Sequence, residues 1–568
     1  MLKKIKNTSL LKFLDKNILF ILSIILLAFI PLYPKLPLFD LIEGYIVRVR
    51  LEDFLIAFTL IVYFIQLLRK KISLDTPITK IIFAYIIIGF LSTISGIYIT
   101  QTIPTTQVHL LKSFLHFFRY IEYFSIFFII SASIKTKKEF QIALTTVVLT
   151  LLIVGVYGVG QKYLYWPVYS TMNREFSKGI TLYLTPHARV QSTFAGHYDM
   201  AAYLVLLLPI ILTLSFYIKN KMFKIILWSS YALGLFLMIL SASRTSLAGL
   251  VVALFTSIFL ASLLEKTFTK KISFFIKKSL ITGIIFLAIF IPFGENMAER
   301  LLQSLENTPI IHQTIIRIED QSQNLISQIN LDQYINIYIK KPENGLSTEQ
   351  AAVLVSSDTR PSTIKPSDVY VDVPNQVRIS TVSATGEKIT TIIEVPRTYS
   401  DNAIKHGLSL AIRLDTLWPQ AIAGFYKNPV LGTGYATLTK SEVNQFTEAD
   451  STDNNFLRTL GENGLLGFVT FYGSIVISLI AAQRIIKKSS STQQYKKYFA
   501  IGFIGSTIGL LVNAAFIDVF AASKVAYTYW AFTGILIASE NILAPKIINK
   551  KTKSKKRIFK KKDKFNNT

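Results

Sequence analysis

Apolar residues along this chain fall in runs of about twenty, joined by short polar connections, with one long polar stretch toward the C-terminal side. About twenty residues is the length a helix needs to cross a hydrocarbon core of roughly 30 Å. The runs lie at roughly 17–34, 53–69, 79–99, 114–134, 140–160, 197–217, 222–241, 244–264, 274–293, 464–486, 498–520 and 523–543. The pattern predicts an all-α polytopic membrane protein with about 12 transmembrane helices. The chain divides into helices one to nine over 1–293, a long loop over 294–463, helices ten to twelve over 464–543, and a basic tail over 544–568. A basic region precedes the first apolar stretch, Ile18 to Ile30, but no small-x-small cleavage signal follows, so this reads as a retained helix.

The loop 294–463 is too long to be a plain connector, and its texture changes along its length. From Glu295 to Ile339 Ile and Leu are spaced among polar residues as in amphipathic helices. Over 342–397 Pro361, Pro366, Pro374 and Pro396 punctuate short runs rich in Val, Ile and Thr, which predicts a small β-rich insertion. From Asn402 to Glu462 the helical spacing returns, broken at Pro429–Gly434.

Composition supports the membrane reading. Hydrophobic residues make up 51% of the chain and charged residues only 17%, too few to cover the surface of a soluble protein this large. The formal charge of +27 is unevenly placed: the loop 294–463 is net −6 and the rest net +33. The excess base sits in clusters at the ends of apolar runs: Lys3–Lys16, Arg69–Lys71, Lys135–Lys138, Lys219–Lys224, Lys266–Lys278, Arg484–Lys497 and Lys546–Lys564. All fall on one side if there are twelve spans. That is the positive-inside pattern, with both termini cytoplasmic and the clusters facing anionic membrane lipids, rather than a nucleic-acid surface. The loop 294–463 is then extracytoplasmic. Cysteine is absent, which excludes disulfides and thiolate chemistry.

Candidate chemistry gathers on the side opposite the basic clusters. Arg189 precedes span six, followed by His197 and Asp199; the bland alternatives are a snorkelling arginine and an aspartate favouring a helix's first turn. Arg244 lies in the tight turn Ser241–Ser246, where a guanidinium so near the membrane needs an anion; a diphosphate suits its paired donors, and an internal salt bridge is the alternative. Arg413 is followed by Asp415, with which it could simply pair, and then by Gly432 and Gly434 in a turn that lets backbone come close to something. Asp453 and Asn454 precede span ten; Asp453 reads either as a general base or as a helix N-cap. The six histidines are scattered in no metal-binding spacing, and no Walker-type loop occurs.

Taken in order, these segments resemble the O-antigen ligase and polymerase superfamily of bacterial envelope enzymes. The resemblance is carried by the Arg189 segment leading into Tyr203-Leu204 and Pro209, the Ser241–Arg244 turn, Arg413 and Trp418 followed by Pro429–Gly434, and Asp453-Asn454 before Gly464-Leu465-Leu466-Gly467. It implies an inner-membrane enzyme, without cofactor or metal, that transfers a glycan from an undecaprenyl-diphosphate-linked donor to a hydroxyl of a glycan, lipid or protein acceptor. Arg189, Arg244 and Arg413 would bind the diphosphate, Arg244 also stabilising the leaving group. Asp453 or His197 would act as base, with inversion at the anomeric carbon. Asn454, Gly432 and Gly434 would position the loop and acceptor. The ligase pattern has a histidine where this chain has Asp453. The rival readings are a transporter or flippase for the same lipid-linked glycan and a non-catalytic envelope scaffold. A transporter calls for charges spread through the membrane midplane, whereas here they collect on one face.

Overall fold

The computed structural model describes residues 2–42, 48–171, 176–185, 188–305, 375–382, 388–395, 400–406, 408–438, 451–490 and 493–543. The helices expected over 306–339, most of the 342–397 insertion and the basic tail 544–568 lie outside the described residues. The principal helices are α1 (Leu2–Leu32), α2 (Leu51–Leu68), α3 (Thr79–Tyr98), α4 (Gln107–Ser133), α5 (Lys137–Tyr163), α6 (His197–Tyr217), α7 (Lys221–Leu240), α8 (Arg244–Ser262) and α9 (Phe268–Phe293). After α10 (Glu295–Leu305) come the short helices α11 (Asp401–His406), α12 (Leu408–Ile412) and α13 (Trp418–Lys427), then α14 (Asn455–Lys488), α15 (Gln494–Ala514) and α16 (Ser523–Leu543).

Two sequence expectations are corrected. Among the described residues eleven helices, not twelve, are long and apolar enough to cross a membrane. The one that falls away is α16: it is 21 residues long, but Lys524, Thr528, Thr533, Ser539 and several aromatic residues dilute its hydropathy. It is a core helix, with Val525, Ala526, Tyr527, Tyr529, Trp530 and Phe532 buried. The expected β-rich insertion is also not supported as a structural unit. The described residues show one two-stranded antiparallel hairpin, Asn375–Val382 against Lys388–Val395, in an otherwise helical molecule. Alternating Val, Ile and Thr carries a hairpin's signal and no more; a sheet needs further partners.

The helices alternate in direction. Their ends therefore sort the connections into two sets: one end of the bundle carries the Arg69–Lys71, Lys135–Lys138, Lys219–Lys224, Lys266–Lys278 and Arg484–Lys497 connections. Caps mark the starts there: Thr136 and Glu139 form a reciprocal capping box on α5, and Asn220 and Thr267 cap α7 and α9. At the other end the chain leaves α1, α3, α5, α7, α9 and α15, and re-enters at α2, α4, α6, α8, α14 and α16.

Helix α6 is the centre of the bundle. Of its span 89% is buried, against 6% for α9, which faces outward along nearly its whole length. Helices α8 and α15 pack closely because small residues face each other. A Cβ on Gly249 would stand 2.7 Å from the Gly509 carbonyl, and one on Gly509 would stand 2.6 Å from that of Gly249. This is the small-xxx-small packing by which helices associate in lipid, where water supplies no drive to bring them together. Ser506 donates to the Leu206 carbonyl at 2.6 Å, and Asn513 to Ser246 at 3.0 Å, so α15 is tied to both α6 and α8.

Candidate functional site

The end of the bundle opposite the basic connections holds a polar cavity of about 210 Å³. Its wall is drawn from the α1–α2 linker (Lys35, Arg50), the middle of α4 (His116, Arg119, Tyr120, Tyr123), the first turns of α6 (Asp199) and α14 (Arg458), and the start of α16 (Ser523). Each lining cation has a carboxylate behind it. Lys35 donates to Glu52 at 2.7 Å and to Ser523 at 2.6 Å. Arg50 stands 3.7 Å from Glu52. Arg119 reaches Asp53 at 2.7 Å and Glu122 at 2.8 Å. Arg458 spans Glu462 at 3.3 Å and Asp518 at 3.1 Å. Burial pulls the Lys35 ammonium below its ordinary range, and Arg50 adds to this, while Glu52 works against it. Beside the cavity, Lys524 at the start of α16 is buried and donates to the carbonyls of Pro31, Tyr33 and Thr193 at 3.0, 2.7 and 2.7 Å.

The residues singled out from the sequence come together in two groups. In the first, Arg189 donates to Nε2 of His197 at 2.6 Å and to the Tyr198 hydroxyl at 3.2 Å, and lies over the Tyr198 ring. Accepting that bond keeps His197 neutral at Nε2. Arg300 of α10 is a second positive neighbour of His197, and its carbonyl accepts from Arg244 at 2.9 Å. Arg244 is the first residue of α8, where the exposed N–H groups and dipole of a helix favour an anion.

In the second group Arg413, in a π-helical turn, bonds Asp453 at 3.0 Å and Ser409 at 2.6 and 2.9 Å. Asp415 does not pair with Arg413. It accepts from Ser400 and Asn402, and these bonds hold its carboxyl below the usual range. Nor is Asp453 the helix cap: that role falls to Asn454, whose side chain accepts from the Leu457 N–H at 3.0 Å to start α14. Asp453 itself has φ +50°.

The 451–454 segment is pinned by a residue that sequence reasoning missed. Asp518, in the α15–α16 turn, accepts from Ser451 Oγ, the Thr452 N–H and Oγ1, the Asn454 N–H and Arg458. Hydrogen bonds to an ionised acceptor are stronger than neutral ones, so a carboxylate meeting this many donors holds the loop in place. Lys35, Arg50, Arg119 and Arg458 were missed too, and Asp199 was noticed without being given a role in the site. The available signal was ionisable residues within or at the edges of apolar runs, which are costly in a membrane and tend to be functional.

Gly432 and Gly434 serve a close backbone approach. Helix α14 breaks at Gly464 (φ +64°), and the 428–438 loop fills the break: Gly434 N–H donates to Glu462 O at 2.8 Å, Thr433 N–H to Gly461 O at 2.9 Å, and Leu465 N–H to Pro429 O at 2.8 Å. A Cβ on Gly432 (φ +69°) would stand 2.5 Å from the Glu462 carbonyl carbon. Gly432→Ala is therefore expected to lower the thermal midpoint in detergent, at a cost on the order of 1–3 kcal/mol. Gly283→Ala in α9 is the control, since nothing lies within 4 Å of its Cβ. Equal midpoints for the two variants would refute this packing role.

Residues 229–472 match the family model for O-antigen ligases. The chain thus resembles that family from α7 through the first half of α14, a stretch that holds Arg244, Arg300, Gly432, Gly434, Arg413, Asp453, Asn454 and Arg458. Arg189, His197, Asp199, Lys35, Arg50 and Arg119 lie before it. No curated protein matches the chain.

Proposed function

We propose that this multi-pass membrane protein transfers a glycan from an undecaprenyl-diphosphate-linked donor to an acceptor hydroxyl at the outer face of the cytoplasmic membrane. The single observation that carries this reading is the first group of site residues. Among the described residues Arg189 is engaged by a neutral imidazole and a phenol and not by a carboxylate, beside Arg300 and the Arg244-bearing N-terminus of α8. Such a set of donors invites a polyanion. The match over 229–472 supports glycan-transfer chemistry. The basic connections gather at one end of the bundle, which favours an orientation with that end cytoplasmic and the site outside.

In this scheme Arg189, Arg244 and Arg413 hold the diphosphate and stabilise the charge that develops on it. The acceptor hydroxyl loses its proton to a base while its oxygen attacks the anomeric carbon. The bond from that carbon to the diphosphate oxygen breaks, with inversion. The activated bond supplies the driving force, so the scheme calls on no nucleotide. His197 and Asp453, the two candidate bases, are each held by an arginine assigned to the diphosphate. A donor that draws Arg189 or Arg413 to itself thereby frees the base beside it. Asn454, Gly432 and Gly434 keep the 428–438 and 451–454 segments in place around this group.

Purified protein in nanodiscs, given an undecaprenyl-diphosphate oligosaccharide and candidate acceptors, is expected to release lipid diphosphate only when an acceptor is present. Movement of the same donor across a vesicle bilayer without any release would instead establish the transporter reading.

A further inference from the structure

Asp199 is in the first turn of α6, two residues from His197, so the two side chains leave the helix on opposite faces. His197 goes to the Arg189 group, and Asp199 goes to the cavity wall. Among the described residues no hydrogen bond or ion pair engages the Asp199 carboxylate. Lys35, Lys524 and Arg50 act on it only across space. Lys524 has all three of its ammonium N–H groups on main-chain carbonyls, and Lys35 has two of its three on Glu52 and Ser523. Arg50, 8% exposed, likewise has a buried Nε without a partner. A carboxylate left open in the wall of a membrane protein costs free energy, and nothing in the local fold accounts for it.

The cavity's balance of charge decides what it fits. Its four lining cations, Lys35, Arg50, Arg119 and Arg458, share the wall with Asp199 and are backed by five further carboxylates: Glu52, Asp53, Glu122, Glu462 and Asp518. Formally the site has no positive excess, so it is not built for a diphosphate. It does offer charged donors, an open carboxylate acceptor, the Thr171 hydroxyl and the rings of Tyr120 and Tyr123. A ligand with many hydroxyls and apolar ring faces meets each of these needs. The volume is roughly fifteen- to twentyfold what a lone water requires.

We propose that this cavity is a saccharide subsite, in which Asp199 accepts hydrogen bonds from the hydroxyls of one sugar residue while Arg50 and its neighbours donate to the ring and hydroxyl oxygens. A site built to hydrogen-bond hydroxyls discriminates strongly, because its polar groups are left open when the wrong ligand enters. The inference rests on the proposed glycan transfer for the identity of the sugar, which belongs to the donor's or the acceptor's glycan.

The test needs no turnover. Oligosaccharide freed from the lipid by mild acid, and so lacking the diphosphate, is added to the full-length protein in detergent, and thermal unfolding is followed. Wild type is expected to unfold several degrees higher at millimolar sugar. Asp199→Ala and Asp199→Asn are expected to lose that shift by at least tenfold in sugar concentration, while their sugar-free midpoints stay at or above that of wild type. A midpoint that falls without sugar would mark Asp199 as structural and overturn the proposal. So would a wild-type shift from intact donor but not from free sugar, which would assign the cavity to the diphosphate. An unchanged sugar response in both variants would likewise sink it. If the sugar response behaves as expected but no lipid diphosphate is ever released, the transfer reading alone fails. In the turnover assay, a rise in KM for acceptor or for donor in Asp199→Asn shows whose glycan the cavity holds.

Discussion

Arg244→Ala is expected to abolish release of lipid diphosphate while leaving protein yield and thermal midpoint near those of wild type. Arg244 opens α8, so its guanidinium sits where unsatisfied N–H groups and the helix dipole already favour negative charge. A diphosphate leaving group gains charge in the transition state, and loss of one aimed donor at such a place lowers turnover by about 10²–10³-fold. The structural cost is small by comparison. The bond from Arg244 to the Arg300 carbonyl of α10 is worth about 1 kcal/mol net. Arg244→Lys keeps the charge but not the planar pair of donors, and should recover only part of the activity. The decisive measurement is single-turnover release with saturating donor. Undiminished release in Arg244→Ala would remove this residue from the site.

Arg458→Ala should act in the opposite way, through the fold. Arg458 is 6% exposed and holds two carboxylates, Glu462 one turn on and Asp518 from the α15–α16 turn. Removing it leaves two buried acids without their counter-charge, a change that costs on the order of 3–5 kcal/mol. Asp518 also organises Ser451, Thr452 and Asn454, so its release would free the segment that carries Asp453. Low yield, a lowered midpoint and loss of monodispersity in detergent are expected together. A double variant, Arg458→Met with Asp518→Asn, takes away one of the stranded charges and should recover part of the stability. A single variant as stable as wild type would show that Arg458 is not structural.

The class of the protein was legible because a bilayer makes simple demands: apolar length and the placement of positive charge. These demands are met residue by residue along one dimension. The helix α16 shows where that reading stops. Its apolar run reads as a span by eye, yet the helix falls short in hydropathy, and Lys524, Thr528 and Thr533 belong to a helix surrounded by protein. Periodicity cannot distinguish lipid from a protein core as neighbour.

The site was half legible for a related reason. Arg189, Arg244, Arg413 and Asp453 stand in or next to loops, where a charge has no packing excuse and attracts notice. Lys35, Arg50, Arg119 and Arg458 belong to the cavity only because α1, α4, α6, α14 and α16 converge there, over separations of up to several hundred residues. No local pattern encodes that convergence. The reading of Asp453 as a cap missed by one residue, since Asn454 and Asp453 are equally good caps by chemistry and only the backbone at φ +50° distinguishes them. Asp415, which could by sequence have paired with Arg413, instead accepts from Ser400 and Asn402 on a preceding segment that no local pattern points to.

The contrast between α6 and α9 has a bearing on how much each stretch of sequence can say. Both are about equally apolar. Along α6 almost every side chain fits against a specific neighbour, so its spelling is constrained letter by letter. Along α9 the neighbour is fluid hydrocarbon, which accepts any greasy word of the right length. Two helices of like composition therefore carry very different amounts of information, and comparison among distant kin should find the record preserved in α6 and largely rewritten in α9.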